Sequence, residues 1–528
     1  MTALRQRLWQ RRWRVAGFLS VVAFAVLAGR FWHPFYGFTR FVQLDEADWR
    51  SGIPGIRENP VFVYEGFNGY DGAAYTQIAF HPLLDAPELQ QAVGNVPYRA
   101  RRILGSALAW LVAGGNPARI ASAYAGLNIV VWLLFAGLLW RGLRVNDLRS
   151  WLAWSGVMFS AGALHSVRLA LTDLLAAALI VGAIAPGERG RAAGALGSLA
   201  AAGLARETAL AGVVGLWRGP WTSARAWLTN IARGVVVMLP LLAWIVYIRW
   251  KVGPADQGFG NFSWPATGWL EKWRETFADY VRHPTFRWLI TTTLLALIGL
   301  TAQAAYLLRR VRLDDPWWRV GMSGVAMMTL LGTAVWEGHP GAATRVLLPM
   351  GAAFAVLAVR ERAATAWLVA GGMTVFSGVL ALWHVPQDGR ELDAGRFDGG
   401  SYIARIDTGW FGVERDRRSA WAWTEREGKL TIETSPRTAF PVQVRIKLRA
   451  ITPREVEVRD GETVLWRGVV NTQREWIEFA ARPQAPGRLS LELGSGAASV
   501  RENEQADARG LGFAVYAVEV ALVNAAGD

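Results

Sequence analysis

The chain has 528 residues, of which 52% are hydrophobic, with 28 tryptophans, no cysteine and a net charge of +14. That apolar excess sets aside an ordinary soluble domain, and the lack of cysteine excludes disulfides and thiolate metal sites. The positive charge lies in arginine clusters flanking apolar segments, which points to membrane orientation and anionic lipid and away from nucleic acid.

Arg5, Arg7, Arg11, Arg12 and Arg14 precede an apolar run at 15–31, which predicts a first span with a cytoplasmic N-terminus. No small-residue cleavage site leads from it into a soluble domain, so it is not read as a signal peptide. A long outer loop, 32–117, follows. It carries Tyr70-Asp71-Gly72-Ala73-Ala74-Tyr75, a carboxylate between aromatics followed by a turn-permitting glycine, and His81. It continues with Tyr98-Arg99-Ala100-Arg101-Arg102-Ile103-Leu104. The apolar stretch from Arg102 to Gly115 falls short of the roughly 20 residues a span needs, and is expected to lie on the outer surface.

Further spans are predicted near 118–140, 150–165, 171–186, 228–249, 288–308, 318–336, 344–360 and 364–385. A broken pair at 192–204 and 207–217 is interrupted by Arg206-Glu207. The total is about eleven. Arg141, Arg144, Arg149, Arg218, Arg225, Arg309, Arg310, Arg312, Arg360 and Arg362 then fall inside, as the positive-inside rule requires. Tryptophans at segment ends (Trp140, Trp151, Trp217, Trp221, Trp250, Trp288, Trp317, Trp318) suit the headgroup layer.

After His384-Val385-Pro386 the pattern changes to period two. Val442 to Arg449 alternates strictly, Glu455-Val456-Glu457-Val458 runs into Asp460-Gly461, and Leu489, Leu491 and Leu493 repeat the alternation. Short strands separated by turns predict a β-sandwich, roughly a jelly roll, over 386–528. Its Trp410, Trp421, Trp423 and Trp466 suit either a core or stacking on sugar rings.

In this topology Asp71, Tyr75, His81, Tyr98, Arg99, Arg101, Arg102, His165, Arg168, Asp173, Glu337, His339 and Arg345 all map to the outer side, and Arg206 and Glu207 join them if their break opens outward. Ionisable groups beside spans are costly, so convergence from at least five segments marks a site. His165 and His339 lack metal-ligand spacing such as HExxH, and are read as satisfied polar groups or substrate contacts.

These motifs resemble the GT-C superfamily of polyprenyl-phosphate-sugar-dependent glycosyltransferases over about residues 15–385. The closer similarity is to bacterial multi-spanning proteins of cell-surface glycopolymer formation, which carry a Tyr-Asp-Gly-x-x-Tyr loop and a Tyr-Arg-x-x-Arg-Ile-Leu element. Gly115-Asn116-Pro117-Ala118-Arg119, Arg206-Glu207-Thr208 and Arg345-Val346-Leu347-Leu348-Pro349 resemble other elements of these families. The resemblance implies that 1–385 is a polytopic α-helical membrane domain at a bacterial cytoplasmic membrane; the span count and arginine placement put the β-sandwich, 386–528, on the extracytoplasmic side. It implies transfer of a sugar from a polyprenyl-phosphate donor to an envelope glycan or lipid acceptor. Asp71-Gly72 stands where many members show an acidic pair, which leaves a divalent metal open.

Such chemistry needs a base for the acceptor proton and cations for the departing phosphate. Asp71, with Tyr75 in reach, is the expected base. Arg206, Arg345, Arg99, Arg101 and Arg102 are the expected phosphate ligands. Tyr70, Tyr75, Tyr98, His165, Asp173, Glu207, Glu337 and His339 complete the candidate substrate site. A single base favours inversion, although Asp173 and Glu337 are available for a retaining route. Alternatives are a lipid-linked-sugar flippase, which should show internal repeats and midplane charges, and a non-catalytic glycopolymer assembly protein.

Overall fold

The computed structural model describes residues 3–219, 222–254, 259–416, 419–437, 441–483, 485–497, 499 and 509–523. Trp221 lies outside these residues. The chain divides into two compact units, one of residues 1–31 and 38–385, the other of residues 32–37 and 386–528.

The first unit is helical. Among the described residues four helices are long and apolar enough to cross a membrane: Arg12–Gly29, Pro117–Leu143, Ala224–Lys251 and Pro284–Arg309. The other expected spans are shorter. Leu148–Met158 ends before Ser160, whose hydroxyl caps a separate helix, Ala161–Arg168. Asp173–Glu188 has 16 residues, Pro316–Leu330 has 15 and Leu348–Arg360 has 13. At 1.5 Å per residue, even the longest of these reaches about 24 Å against a hydrocarbon core of about 30 Å. Their apolarity is matched by burial inside the helical unit, since Met350 through Ala358 are all buried. Trp317 and Trp318, expected at the headgroup layer, are likewise buried, and the Trp318 indole donates to the Leu307 carbonyl at 3.0 Å.

The segment expected as a long loop is itself folded. A two-residue parallel pair joins β1 (Leu44–Asp45) to β2 (Val63–Tyr64). Short helices Glu46–Arg50, Pro54–Glu58 and Leu89–Val93 surround the helix Asp71–Phe80. Gly72 through Phe80 are all buried, and the alanines at 73, 74 and 79 allow that enclosure. Buried Gln77 accepts from the Ile53 amide at 3.1 Å and donates to the Ala92 carbonyl at 3.2 Å, which ties three of these pieces together. The apolar stretch after Arg102 forms the helix Ile103–Val112, with Leu111 and Val112 exposed.

The second unit is a β-sandwich. Its strands are β3 (Glu391–Phe397), β4 (Gly400–Ile406), β5 (Trp410–Arg415), β6 (Ala420–Thr424), β7 (Glu427–Ser435) and β8 (Val442–Ala450). They continue with β9 (Arg454–Asp460), β10 (Thr463–Val470), β11 (Glu475–Ala481), β12 (Arg488–Gly494) and β13 (Phe513–Leu522). A six-stranded sheet runs β10-β9-β12-β7-β4-β3 and a five-stranded sheet β11-β8-β13-β6-β5. Alternate residues of β8, from Val442 to Ala450, are buried, and they share one core with Leu489, Leu491 and Leu493 from the other sheet. Residues 32–37 join this unit through His33, whose Nε2 lies 3.1 Å from Glu391 Oε1.

The outer faces of the two sheets differ. On the six-stranded sheet arginines and lysines pair with acids, as Lys429 does with Glu492 and Arg405 with Glu433. On the five-stranded sheet Arg445 also pairs with Glu519, but the cations stack on rings as well: Arg445 and Lys447 on Trp476, Arg449 on Trp423, and Arg474 on Tyr516, which in turn stacks on Trp421. Trp410 and Trp466 pack against the core.

Candidate functional site

Three acids expected in the site each open a helix: Asp71 the helix Asp71–Phe80, Asp173 the helix Asp173–Glu188, and Glu207 the 3-10 helix Glu207–Leu216. A helix N-terminus favours a carboxylate. Each acid also meets an arginine from a distant segment. Asp71 Oδ1 lies 3.4 Å from Arg99 Nε, Asp173 Oδ1 2.5 Å from Arg206 Nη1, and Glu207 Oε2 3.0 Å from Arg102 Nε.

Asp71 departs from the expected short turn. Gly72 has helical rather than left-handed backbone, and the reason for glycine is close approach. An added Cβ would lie 2.3 Å from the Leu169 carbonyl oxygen and 3.0 Å from that of Val42. The opposing loop is fixed by Tyr124, which donates to the Ala170 carbonyl at 3.0 Å, and by Asn128, which donates to those of Ser166 and Leu171. The same loop leads into Asp173. Asp71 and Asp173 are therefore positioned by one backbone contact. Asp71 remains 39% exposed, whereas the Asp173 side chain is 2% exposed.

Arg102 is the hub. Its Nη1 donates to the Tyr75 hydroxyl at 2.6 Å, its Nη2 to that of Tyr98 at 3.2 Å, and its Nε to Glu207. Asn261 donates to the same Tyr98 hydroxyl at 3.2 Å. Burial alone would lower the Arg102 pKa, but Tyr75, Glu207 and Tyr98 raise it well above the usual guanidinium value. Burial pushes the Tyr75 hydroxyl up, so it stays protonated and is occupied by Arg102. The expected partnership of Tyr75 with Asp71 is not formed.

Arg345 donates to the Tyr70 hydroxyl at 2.9 Å, stacks on that ring, and places Nε 3.8 Å from Asp173 Oδ2. The Nε atoms of Arg206 and Arg345 are buried without a hydrogen-bond partner, as are both Asp173 oxygens, whose ion pairs are not aligned as hydrogen bonds. Arg101 stacks on Tyr98.

The remaining candidates make other contacts, although His165 lies near Arg345. His165 Nδ1 is 3.0 Å from the carbonyl oxygen of Ala161, one turn back. His339 Nδ1 is 3.1 Å from the Thr293 hydroxyl, and Lys272 donates to the Gly338 carbonyl at 2.7 Å. Burial and Lys272 push the His339 imidazole pKa down. Glu337 lies among these groups, near Lys272. His81 pairs with Asp85, and Arg168 stacks on Phe31 and Tyr64. Among the described residues no contact joins Glu337 or His339 to the network, and no group of three His, Asp or Glu side chains forms a metal-ligand set. The site acids are paired with arginines instead, so the donor set does not fit a divalent cation.

Two acids escaped the sequence reading. Asp45 caps the helix Glu46–Arg50 by accepting from the Asp48 amide at 2.7 Å, and its other oxygen accepts from the Gly69 amide at 2.7 Å. The Asp-x-x-Asp spacing was the available signal. Burial and then Asp45 raise the Asp48 pKa, partly offset by Arg99. A carboxyl raised in the folded state stabilises least above its folded pKa and most below the ordinary value of about 4. Asp48→Asn is therefore expected to raise the melting temperature by about 2 °C at pH 7, with the gain gone near pH 3. Melting curves of the purified variant at both pH values check this, and no gain at pH 7 would count against a strained Asp48.

No protein-family model and no curated protein matches this sequence. Among solved structures, TmCBM61 in complex with β-1,4-galactotriose is similar with a TM-score of 0.16 and 11% identity, over 24% of this chain and 92% of that one. The arabinosyltransferase EmbB from Mycobacterium smegmatis is similar with a TM-score of 0.12 and 12% identity, over 80% of this chain and 57% of that one. The alignment thus spans a little over half of EmbB, and neither likeness is close enough to bear on the site.

Proposed function

We propose that this protein is a membrane glycosyltransferase of GT-C type. It would move a sugar from a polyprenyl-phosphate donor to an envelope glycan or lipid acceptor on the outer face of a bacterial cytoplasmic membrane. In this reading the shorter apolar helices, enclosed by their neighbours, complete about eleven membrane passages where the bilayer is locally thinned. One observation carries the proposal: the buried Nε groups of Arg206 and Arg345 make no hydrogen bond, and Arg345 bonds Tyr70, the residue before the partly exposed carboxylate Asp71. Both guanidinium groups share Asp173, and their N–H groups without a hydrogen bond leave room for a second anion, whose oxygens a phosphate would supply.

Asp71 takes the proton of the acceptor hydroxyl as that oxygen forms its bond to the anomeric carbon. The bond from that carbon to the donor phosphate oxygen breaks, and the phosphate keeps the electron pair. Arg206 and Arg345 stabilise the charge that develops there, where burial strengthens each contact. Attack and departure on opposite faces invert the anomeric centre. Arg102 has every nitrogen engaged by protein groups and is assigned to holding Tyr75, Tyr98 and Glu207 in place. The stacked arginines and aromatics on the five-stranded sheet support acceptor binding by the sandwich.

The test uses purified full-length protein in lipid vesicles with a labelled polyprenyl-phosphate sugar. Transfer predicts release of polyprenyl phosphate that depends on added acceptor. Movement of intact donor between leaflets without release would favour a flippase. In the same assay, Trp476→Ala is expected to raise KM for a polymeric acceptor several-fold and leave a short acceptor unaffected; equal change for both would remove the sandwich face from acceptor binding.

A further inference from the structure

A cavity of about 790 Å³ lies at the other end of two elements that begin in the candidate site. Asp173–Glu188 and Glu207–Leu216 start at the acids of the network and finish at the cavity wall, which includes Glu188 and Leu216. Sixteen helical residues and ten in a 3-10 helix both give a separation of roughly 20–24 Å. The volume suits a lipid headgroup or small ligand.

Its wall is cationic. Arg189, Arg218, Arg233 and Arg319 line it. Arg319 is committed to backbone, donating to the carbonyls of Val214, Gly215 and Trp217. Arg218 and Arg233 are brought together by Asn230, whose Oδ1 accepts from the Arg218 amide at 3.0 Å and from Arg233 Nη1 at 3.4 Å. Among the described residues no carboxylate pairs with Arg189, Arg218 or Arg233. Of the two acids on the same wall, Glu188 is held bidentately by Arg360 at 2.8 and 3.0 Å, and Asp314 lies near Arg319. The 14-residue helix Ala192–Ala205 opens onto the cavity through Ala192 and Ala195, with no side-chain cap and no acid in its first turn. Its positive dipole end adds to the arginines.

The surrounding connections share this character. Arg312 pairs with Glu361 at 2.5 Å, and Arg149 donates to the Arg362 carbonyl at 2.8 Å. This end of the unit thus gathers the arginine-rich connections that the positive-inside rule assigns to the cytoplasm, where anionic lipids attract basic residues.

We infer that the cavity binds a phosphate anion carried by an anionic membrane lipid headgroup, with Arg189, Arg218 and Arg233 as its ligands. The site is separate from the proposed transfer chemistry and does not depend on it. The experiment titrates delipidated full-length protein in detergent with phosphatidylglycerol, phosphatidylcholine and inorganic phosphate, reading occupancy by native mass spectrometry. Wild-type protein is expected to retain phosphatidylglycerol over phosphatidylcholine, and Arg218→Ala/Arg233→Ala to weaken it at least tenfold. Because Arg218 also donates to the Gly187 carbonyl and Arg233 to that of Leu216, each at 3.0 Å, Arg189→Ala is the second variant. It is expected to weaken binding about threefold with an unchanged melting temperature. Displacement of phosphatidylglycerol by equimolar inorganic phosphate would overturn the lipid as ligand. Wild-type affinity in both variants would overturn the site.

Discussion

Asp71→Asn is expected to lower transfer by about 10²- to 10⁴-fold, the usual contribution of a general base. The substitution keeps the size of the side chain and removes only its capacity to take a proton. Its partner Arg99 also lies beside Asp48, so the guanidinium is not left without an acid. The 39% exposure of Asp71 further limits the structural cost. The measurement is kcat in purified vesicles, with donor-lipid affinity and melting temperature as controls. Turnover within threefold of wild type would remove Asp71 from the mechanism, and loss of donor affinity with unchanged kcat would make it a binding group.

Asp173→Ala is expected to have the largest effect on stability. Asp173 is 2% exposed and faces two arginines, Arg206 and Arg345, that are themselves 15% and 8% exposed. Removing the acid leaves two like charges buried together, a loss of about 3–5 kcal/mol where one partner of a buried pair is deleted. A phosphate-bearing ligand should offset part of that loss. The melting temperature of Asp173→Ala is thus expected to fall sharply and to recover more than that of wild type on adding polyprenyl phosphate. A variant as stable as wild type would show that Arg206 and Arg345 do not depend on this acid. A destabilised variant with no added response would count against a phosphate between them.

The sandwich was largely legible because a half-buried strand writes its burial in alternate residues. Val442 to Arg449 and the leucines at 489, 491 and 493 lie where their period places them, facing one core. The span count was less legible. Hydropathy responds equally to lipid and to protein surroundings, so Leu348–Arg360, enclosed by its neighbours, reads like a lipid-facing span although its 13 residues do not by themselves match the full hydrocarbon thickness. In the site, the motifs singled out Tyr70, Asp71, Tyr98, Arg99, Arg102, Asp173, Arg206, Glu207 and Arg345, and the structure pairs Asp71 with Arg99, joins Arg102 to Tyr98 and Glu207, and joins Asp173 to Arg206 and Arg345. Their partners could not be read from the chain. Arg206 and Glu207 are adjacent but part ways: Arg206 is extended while Glu207 begins a helix, so their side chains diverge to Asp173 and Arg102. Asp45 and Asp48 carry a capping spacing, Asp-x-x-Asp, but that spacing marks a helix start and does not say that the second acid is half-buried beside the first.

The contact at Gly72 also has a genetic meaning. Any side chain there must displace the Leu169 carbonyl, and that carbonyl belongs to a loop fastened by Tyr124 and Asn128. Gly72 is therefore not free to vary alone. Second-site suppressors of Gly72→Ala should arise among residues 169–172, Tyr124 and Asn128, some fifty to a hundred positions away in the chain. In a population of related sequences, these positions would be inherited as a set, and the Asp-Gly pair would persist because of its neighbour's backbone as much as its own acid.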